Sequence, residues 1–266
     1  MKVPIEVDGF MPFKHFLNKV PELTLTFWII KIMSTTAGEI MTDFLSVTVG
    51  WGQGVTCCVM IVLLVAALFM QLRTRHYTPL IYWLTVVIFS IVGIQITDFL
   101  TDKLGISLYV STVIFAVILA MVFVIWYRVE RTLSIQEIFT RRREWFYWAA
   151  ILSALTLGTA AGDLATEALG LGFKWGFIIF GSMITITFIA WRLTGKAVLT
   201  FWVAYILTRP FGAAFGDLLA QSEVYGGLGL GVVWSCVLLL LAILVIGAIP
   251  ASILEPSDSS LSVQET

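Results

Sequence analysis

The chain has 266 residues and a formal net charge of −1, with 59% hydrophobic and 12% charged residues. Its mean hydropathy is +0.97, whereas soluble domains carry about 25% charged residues. This composition excludes an ordinary water-soluble domain and favours a protein whose partner is the lipid bilayer. The lack of a basic excess also predicts no nucleic-acid partner.

Eight stretches of the chain are long and apolar enough to be candidate membrane spans, since a spanning helix needs roughly 20 mainly apolar residues. The sequence therefore predicts an all-α integral membrane protein with eight transmembrane helices joined by short loops. In chain order, the predicted spans are about 22–45, 54–72, 79–100, 105–127, 146–166, 173–193, 198–220 and 228–250.

A tryptophan, a glycine ten positions later and an aspartate fifteen positions later occur four times, each time on the first span of a pair. This repetition indicates four homologous units, at about 21–72, 79–127, 146–193 and 198–250. Because each unit has an even number of spans, we expect four parallel helix hairpins that share one orientation. The repeated residues are Trp28, Gly38 and Asp43; Trp83, Gly93 and Asp98; Trp148, Gly158 and Asp163; and Trp202, Gly212 and Asp217.

The basic residues predict the orientation of the chain in the membrane. They concentrate in the N-terminal segment and in the loops between repeats, whereas the loops within repeats contain only Lys103 and Lys174. By the positive-inside rule, both termini are expected in the cytoplasm, with the chain in the plasma (inner) membrane. Residues 1–20 are predicted to be a cytoplasmic or interfacial segment, residues 21–250 a single membrane domain and residues 251–266 a disordered cytoplasmic tail.

The four aspartates are expected to face away from lipid, because an ionisable residue near the bilayer centre costs about 2.5–3.5 kcal/mol. We therefore expect the odd-numbered helices to form an inner ring, with the even-numbered helices outside. A pseudo-fourfold ring is the simplest arrangement, and a pair of pairs is the alternative. Small residues spaced four apart allow close helix packing. The glycines at these positions are Gly38, Gly93, Gly158, Gly162, Gly212 and Gly216.

Other charged residues are predicted to lie near this acidic set. Glu39 precedes Asp43 by four residues, so the two carboxylates share a helix face. Lys31 lies on the same predicted span, and Arg209 lies near the middle of the seventh, where we expect it to pair with Glu39 or another acid across the ring. Five acids and two bases leave an excess of three negative charges (5 − 2 = 3) if all are ionised. Protons or a bound cation are expected to balance this excess.

Each of these residues also has a structural interpretation. One intramembrane aspartate can simply join helices, but Ser or Asn would do so at lower cost, so the fourfold set favours a cation- or proton-binding site. Arg209 and Lys31 are interpreted as charge partners or gating residues, and a structural ion pair is an equal alternative for Arg209. The four repeated tryptophans are interpreted as interfacial or packing anchors.

Carboxylates without nearby thiolates or imidazoles suit hard cations. The sequence therefore predicts a transporter for a small cation, with a hard divalent ion such as manganese first, magnesium or calcium next, and proton coupling as an option. The alternative is a non-transporting membrane scaffold or sensor in which the acids are structural. An enzyme is not expected, because no HExxH, nucleophile elbow or Cys–His arrangement is present. The sequence does not predict an oligomeric state.

The opening of the first repeat supplies a further pattern, Lys19-Val20-Pro21-Glu22, then Phe27-Trp28, Gly38-Glu39 and Thr42-Asp43. With the later Trp, Gly and Asp copies, it resembles a bacterial family of uncharacterised membrane-anchored proteins, built from four tandem two-span repeats that each have a tryptophan. The resemblance covers residues 21–250. It implies the repeat architecture and no activity, since the repeat of that family is itself named as being of unknown function.

Overall fold

The computed structural model describes residues 18–248. The part of the predicted N-terminal segment before residue 18 and the predicted tail at 251–266 lie outside the described residues. Within 18–248 the fold is all-α, with eight α-helices and no strand. They are α1 (Leu25–Asp43), α2 (Gly52–Arg73), α3 (Pro79–Asp98), α4 (Leu108–Glu130), α5 (Arg141–Asp163), α6 (Gly172–Thr194), α7 (Ala197–Ala220) and α8 (Val232–Ala248).

Each helix coincides with one stretch predicted from the sequence. The largest difference is at α5, which begins at Arg141 rather than near residue 146. The helix starts earlier because Thr140 caps it, with its hydroxyl accepting a hydrogen bond from the backbone N–H of Arg143 at 3.3 Å. The first turns of α5 are polar, so a search for apolar residues does not detect them.

Six helices, α2 to α7, are long and apolar enough to cross a membrane. Helix α1 has three charged residues among its 19, namely Lys31, Glu39 and Asp43. Helix α8 is strongly apolar but has 17 residues in the part of the chain described. The chain is thus an all-α protein with the character of a multi-pass membrane protein.

The odd-numbered helices form a closed ring in which α1 packs against α3, α3 against α5, α5 against α7, and α7 against α1. The repeat glycines show how the ring is built. Each one lies against the residue three positions before the corresponding glycine of the next repeat, and the fourth repeat closes on the first. This is a pseudo-fourfold rotation rather than a pair of pairs. The contacts are Gly38 with Ser90, Gly93 with Leu155, Gly158 with Arg209, and Gly212 with Thr35.

The even-numbered helices lie outside the ring, and each packs on the first helix of the next repeat. Helix α2 packs on α3, α4 on α5, α6 on α7, and α8 on α1. Packing between the two helices of one repeat, expected as a hairpin, is slight within residues 18–248. The outer surface is apolar, with Val62 of α2 69% exposed and Ile186 of α6 64% exposed. A soluble protein rarely presents so much apolar surface.

Three inner helices change geometry directly after the repeat aspartate. Helices α1, α3 and α5 continue into π-helical turns at Phe44–Thr48, Phe99–Lys103 and Leu164–Ala168. Helix α7 instead remains α-helical through Asp217 as far as Ala220. Since π-helical turns are rare and are often found at functional sites, this junction is a candidate functional site.

Candidate functional site

The four repeat aspartates lie at one end of the inner ring, called here the aspartate end, and all four are partly buried. Each interacts electrostatically with both Glu39 and Arg209, so the four acids lie within electrostatic range of one charged pair. Across residues 18–248, no hydrogen bond or salt bridge involves the side chain of Asp43, Asp98, Asp163 or Asp217. The structure therefore places the predicted acids at one end of the ring without giving them a side-chain partner.

One ion pair links α7 to α1 beneath these acids. Arg209 Nη2 donates to Glu39 Oε2 at 2.5 Å, and the side chain of Arg209 is 1% exposed while that of Glu39 is 20% exposed. The expectation that Arg209 pairs with Glu39 or another acid across the ring is confirmed. The pair is buried on the arginine side and opens toward the aspartate end on the glutamate side.

Lys31 lies deeper in the ring than this pair. Its side chain is fully buried, and its Nζ lies 4.2 Å from the centre of the Tyr205 ring. Among the described residues, Lys31 Nζ has no hydrogen-bond acceptor and no salt bridge. The structure thus brings Lys31 against an aromatic ring of α7 and does not bring it to one of the predicted acids.

The packing glycines lie at contacts between inner helices, and one of these contacts is with Arg209 of the ion pair. A Cβ atom at Gly158 would lie 2.7 Å from Arg209 Cβ and 2.9 Å from the carbonyl oxygen of Ile206. The nearest atoms would be 2.7 Å away for Gly38, 2.9 Å for Gly162 and 3.3 Å for Gly93. At Gly212 the added atom would press on Thr35 and Thr36, whereas Gly216 has ordinary van der Waals room at 3.4 Å.

The four repeat tryptophans lie at the opposite end of the inner ring, called here the tryptophan end. Three of them are buried in the ring and Trp28 is partly buried, so they take part in packing. The residue before each tryptophan contacts the tryptophan of the next repeat. The ring centroids are 5.6 Å apart for Phe27 with Trp83, 5.7 Å for Tyr82 with Trp148, 6.5 Å for Tyr147 with Trp202, and 5.7 Å for Phe201 with Trp28.

These aromatic contacts between repeats were not predicted, although the sequence contains a pattern that indicates them. Every repeat has an aromatic residue directly before the tryptophan. The hydroxyls of Tyr82 and Tyr147 also lie 2.5 Å apart, joining α3 to α5. Three residues beyond the tryptophans, one side chain from each repeat is fully buried: Lys31, Val86, Ile151 and Tyr205. Side chains of all four repeats are therefore buried at this level, while Glu39 and the four aspartates lie toward the aspartate end.

Within residues 18–248, no group of three or more His, Cys, Asp or Glu side chains is arranged to hold a metal ion. Cys57, Cys58 and Cys236 are free thiols. The aspartate end therefore supplies carboxylates for electrostatic attraction but does not form a coordination cage in this conformation.

A ring of four helix pairs, with charged groups on the inner helices and apolar helices outside, defines a class of four-repeat helical proteins of membrane character. The family described as Repeat of Unknown Function (DUF347) matches this chain four times, at residues 26–77, 81–132, 146–197 and 200–250. The chain belongs to this family, and the resemblance noted in the sequence is confirmed. Comparison with curated proteins and with solved structures finds no match.

Proposed function

We propose that the chain is a multi-pass protein of the plasma (inner) membrane that transports a small cation by way of the aspartate end of its ring. The apolar outer helices support a position within the bilayer. Arg73, Arg128 and Arg192 lie in the last turns of α2, α4 and α6, on the tryptophan side of the molecule. By the positive-inside rule, the tryptophan end and both termini then face the cytoplasm, and the aspartates face outward.

The observation that carries the transport proposal is the lack of side-chain partners for the four aspartates. An acid that served only to join helices would donate or accept hydrogen bonds across a helix contact. No such bond involves these four carboxylates within residues 18–248, although each is partly buried. Their cost of burial is instead best explained by attraction of a cation or a proton.

The ion pair between Arg209 and Glu39 supports a gated carrier rather than an open channel. A cation drawn to the aspartates meets the guanidinium of Arg209 next, and below it the amine of Lys31. Two basic side chains buried within the ring oppose passage of a free cation. Movement beyond the acids therefore requires a rearrangement of this pair, with Glu39 released to the cation.

The proposed cargo is a hard divalent ion, with manganese first, because the carboxylate oxygens at the aspartate end are the type of ligand that hard cations prefer. The dispersed arrangement of these acids implies that such an ion is held firmly only after the inner helices shift. Protons need a single carboxylate each, so exchange of a cation for protons fits the same residues. Carboxylates that alternately bind a proton and a cation couple the two flows.

The alternative function is a scaffold or sensor that transports nothing. It is favoured by the buried level of Lys31, Val86, Ile151 and Tyr205, where side chains of all four repeats fill the ring. In that case the charged groups would set only the stability and shape of the aspartate end. The two functions differ in whether removing an aspartate changes ion movement.

Orientation is tested by labelling single cysteines in a variant without the three native cysteines. A membrane-impermeant maleimide added to intact cells is expected to label Ser222→Cys, which is exposed between α7 and α8. Ser134→Cys, between α4 and α5, should react only after the cells are opened. Labelling of Ser134→Cys in intact cells would contradict the proposed orientation.

Transport is tested with purified protein in liposomes that contain a manganese-sensitive dye or a pH-sensitive dye. Wild-type protein is expected to admit Mn²⁺ and to move protons in the opposite direction, and Asp43→Asn should lose most of this flux. The matched control is Glu223→Gln, because Glu223 is an exposed acid outside the ring on the same side. Full flux in Asp43→Asn, Asp98→Asn and Asp163→Asn would favour the scaffold.

A further inference from the structure

Four fully buried polar side chains on α1 and α7, named here the donor cluster, keep hydrogen-bond donors without a protein acceptor. They are Lys31, Ser34, Tyr205 and Arg209, each no more than 1% exposed. The atoms without a partner in the described chain are Lys31 Nζ, Ser34 Oγ, Tyr205 Oη, and Arg209 Nε and Nη1. A buried donor without an acceptor costs about 1–3 kcal/mol, so several together indicate that something else accepts their hydrogen bonds.

The four members of the donor cluster all belong to α1 and α7, and partnerless donors also occur elsewhere in the inner ring, on Ser90, Gln95 and Trp148. Buried threonines there donate to carbonyl oxygens of their own helices, as Thr97 does to Gly93 at 3.1 Å and Thr159 to Leu155 at 3.1 Å. Ser34 and the Tyr205 hydroxyl do not bond in this way. The partnerless atoms that can only accept belong to Asn18, Gln71 and Glu144, around Lys19 at the tryptophan end. The donor cluster therefore has an excess of donors that no nearby acceptor balances.

Contacts between α1 and α7 bring the members of the cluster together. Lys31 Nζ lies 4.2 Å from the centre of the Tyr205 ring, and Lys31 interacts electrostatically with Arg209. The hydroxyl of Thr35 donates to the carbonyl oxygen of Thr208 at 3.2 Å. Thr35 directly follows Ser34 and Thr208 directly precedes Arg209. This hydrogen bond therefore places the backbone at Ser34 beside the backbone at Arg209.

The charges of the cluster are also unbalanced. Lys31 and Arg209 are both basic, and Glu39 is engaged by Arg209 Nη2. Lys31 is 12 positions before Asp43 on α1 (43 − 31 = 12), which is about 18 Å along a helix and beyond the reach of a lysine side chain. Lys31 is therefore the basic residue of the cluster without an ion-pair partner, and buried charges are normally paired.

We infer that the donor cluster binds one small monovalent anion of halide type, held between Lys31 and Arg209. A halide accepts several hydrogen bonds and donates none, so it satisfies the donor excess and the charge excess together. The guanidinium supplies a donor that Glu39 does not occupy, and the Tyr205 hydroxyl and Ser34 supply neutral ones. The inference goes beyond cation transport and does not depend on it, because it concerns a resident anion of the ring.

The test measures thermal unfolding of the full chain purified in detergent, in sodium chloride, sodium bromide or sodium gluconate at constant ionic strength. A bound halide stabilises the folded state by mass action, so the melting temperature should rise with chloride or bromide and reach saturation. Lys31→Met, which keeps the apolar stem without the charge, is expected to lose this halide dependence. The matched control is Lys196→Met, since Lys196 is exposed at the start of α7 and its loss should leave the dependence intact.

A melting temperature of the wild-type protein that is equal in chloride and gluconate would overturn the inference, and so would full halide dependence in Lys31→Met. If Lys31→Met does not fold, Tyr205→Phe provides the decision. This change removes one hydroxyl and should weaken chloride affinity by about tenfold, as loss of one hydrogen bond to a charged group does. Unchanged affinity in Tyr205→Phe would exclude an anion at this position.

Discussion

The two ends of the inner ring are built from the same four helices and the same repeat, yet their side chains interact in different ways. At the tryptophan end, each aromatic residue before a tryptophan contacts the tryptophan of the next repeat, with the fourth repeat closing on the first. At the aspartate end, three repeats unwind into π-helical turns while the fourth does not. The comparison indicates that the four repeats are alike at the tryptophan end, where aromatic side chains pack, and differ at the aspartate end, where the four repeat aspartates lie.

The tryptophan end also contains a second buried ion pair. Lys19, just before α1, donates from Nζ to Glu144 Oε2 of α5 at 2.6 Å, and it lies 3.4 Å from the carbonyl oxygen of Leu72 at the end of α2. Helices α1 and α5 are opposite each other in the ring, so the chain before α1 crosses this end. Stability should therefore be concentrated here, and the predictions below compare the two ends.

The largest expected effect is the loss of the ion pair at the tryptophan end. Glu144→Leu leaves the buried amine of Lys19 without its partner, and breaking a buried pair on one side costs about 3–5 kcal/mol of unfolding free energy. Glu137→Gln is the matched control, since Glu137 pairs with Arg143 at 3.3 Å while its side chain is 49% exposed. Such an exposed pair contributes about 0.2–1 kcal/mol. Denaturant unfolding in detergent that gave equal losses for both variants would show that the crossing segment does not hold this end together.

The second effect concerns the close contact between α5 and α7. Gly158→Ala would press a methyl group on Arg209 Cβ and on the carbonyl of Ile206, and overpacking of this kind costs about 1–3 kcal/mol. Gly216→Ala should cost less, because its nearest neighbour would be 3.4 Å away. Gly54→Ala on α2 is the control, as nothing lies within 4 Å of the added atom. A melting temperature for Gly158→Ala equal to that of Gly54→Ala would mean that the ring can widen at no cost.

Much of this architecture could be predicted from sequence because it depends on local properties. Apolar length predicts the helices, fixed offsets predict the repeats, and the cost of an acid in lipid predicts an inner ring. The pairing of Arg209 with Glu39 or another acid across the ring followed from the same argument, since a buried charge needs a partner in the ring.

Other features depend on distances across the fold that no local pattern encodes. The pairing of Lys19 with Glu144 joins positions 125 residues apart, and Glu144 lies before the apolar part of its helix. Each inner helix contacts two other inner helices, and this arrangement places α2 on α3 of the next repeat rather than on α1. The π-helical turns were not predicted, although the three repeats that form them have a hydroxyl residue three positions after the aspartate, at Ser46, Thr101 and Thr166, where the fourth repeat has Ala220.

The smallest expected effect separates the two ends most directly. Asp163→Asn keeps the size of the side chain and removes its charge, and within residues 18–248 no hydrogen bond or salt bridge to this side chain would be lost. We therefore expect the unfolding free energy to change by no more than about 0.5 kcal/mol, as for substitutions without a specific contact. Asp98→Asn should behave in the same way, in contrast to Glu144→Leu at the other end.

Unfolding of Asp163→Asn and Asp98→Asn in detergent, measured beside the wild-type protein, decides what the acids do for the fold. A loss of about 2 kcal/mol or more in either variant would show that the carboxylate bonds across the ring in solution, and the aspartate end would then be structural like the tryptophan end. Unchanged stability together with lost cation flux would assign the acids to transport. The comparison is sharp because both variants keep the side-chain volume and every packing contact of the inner helices, so that charge is the property that differs.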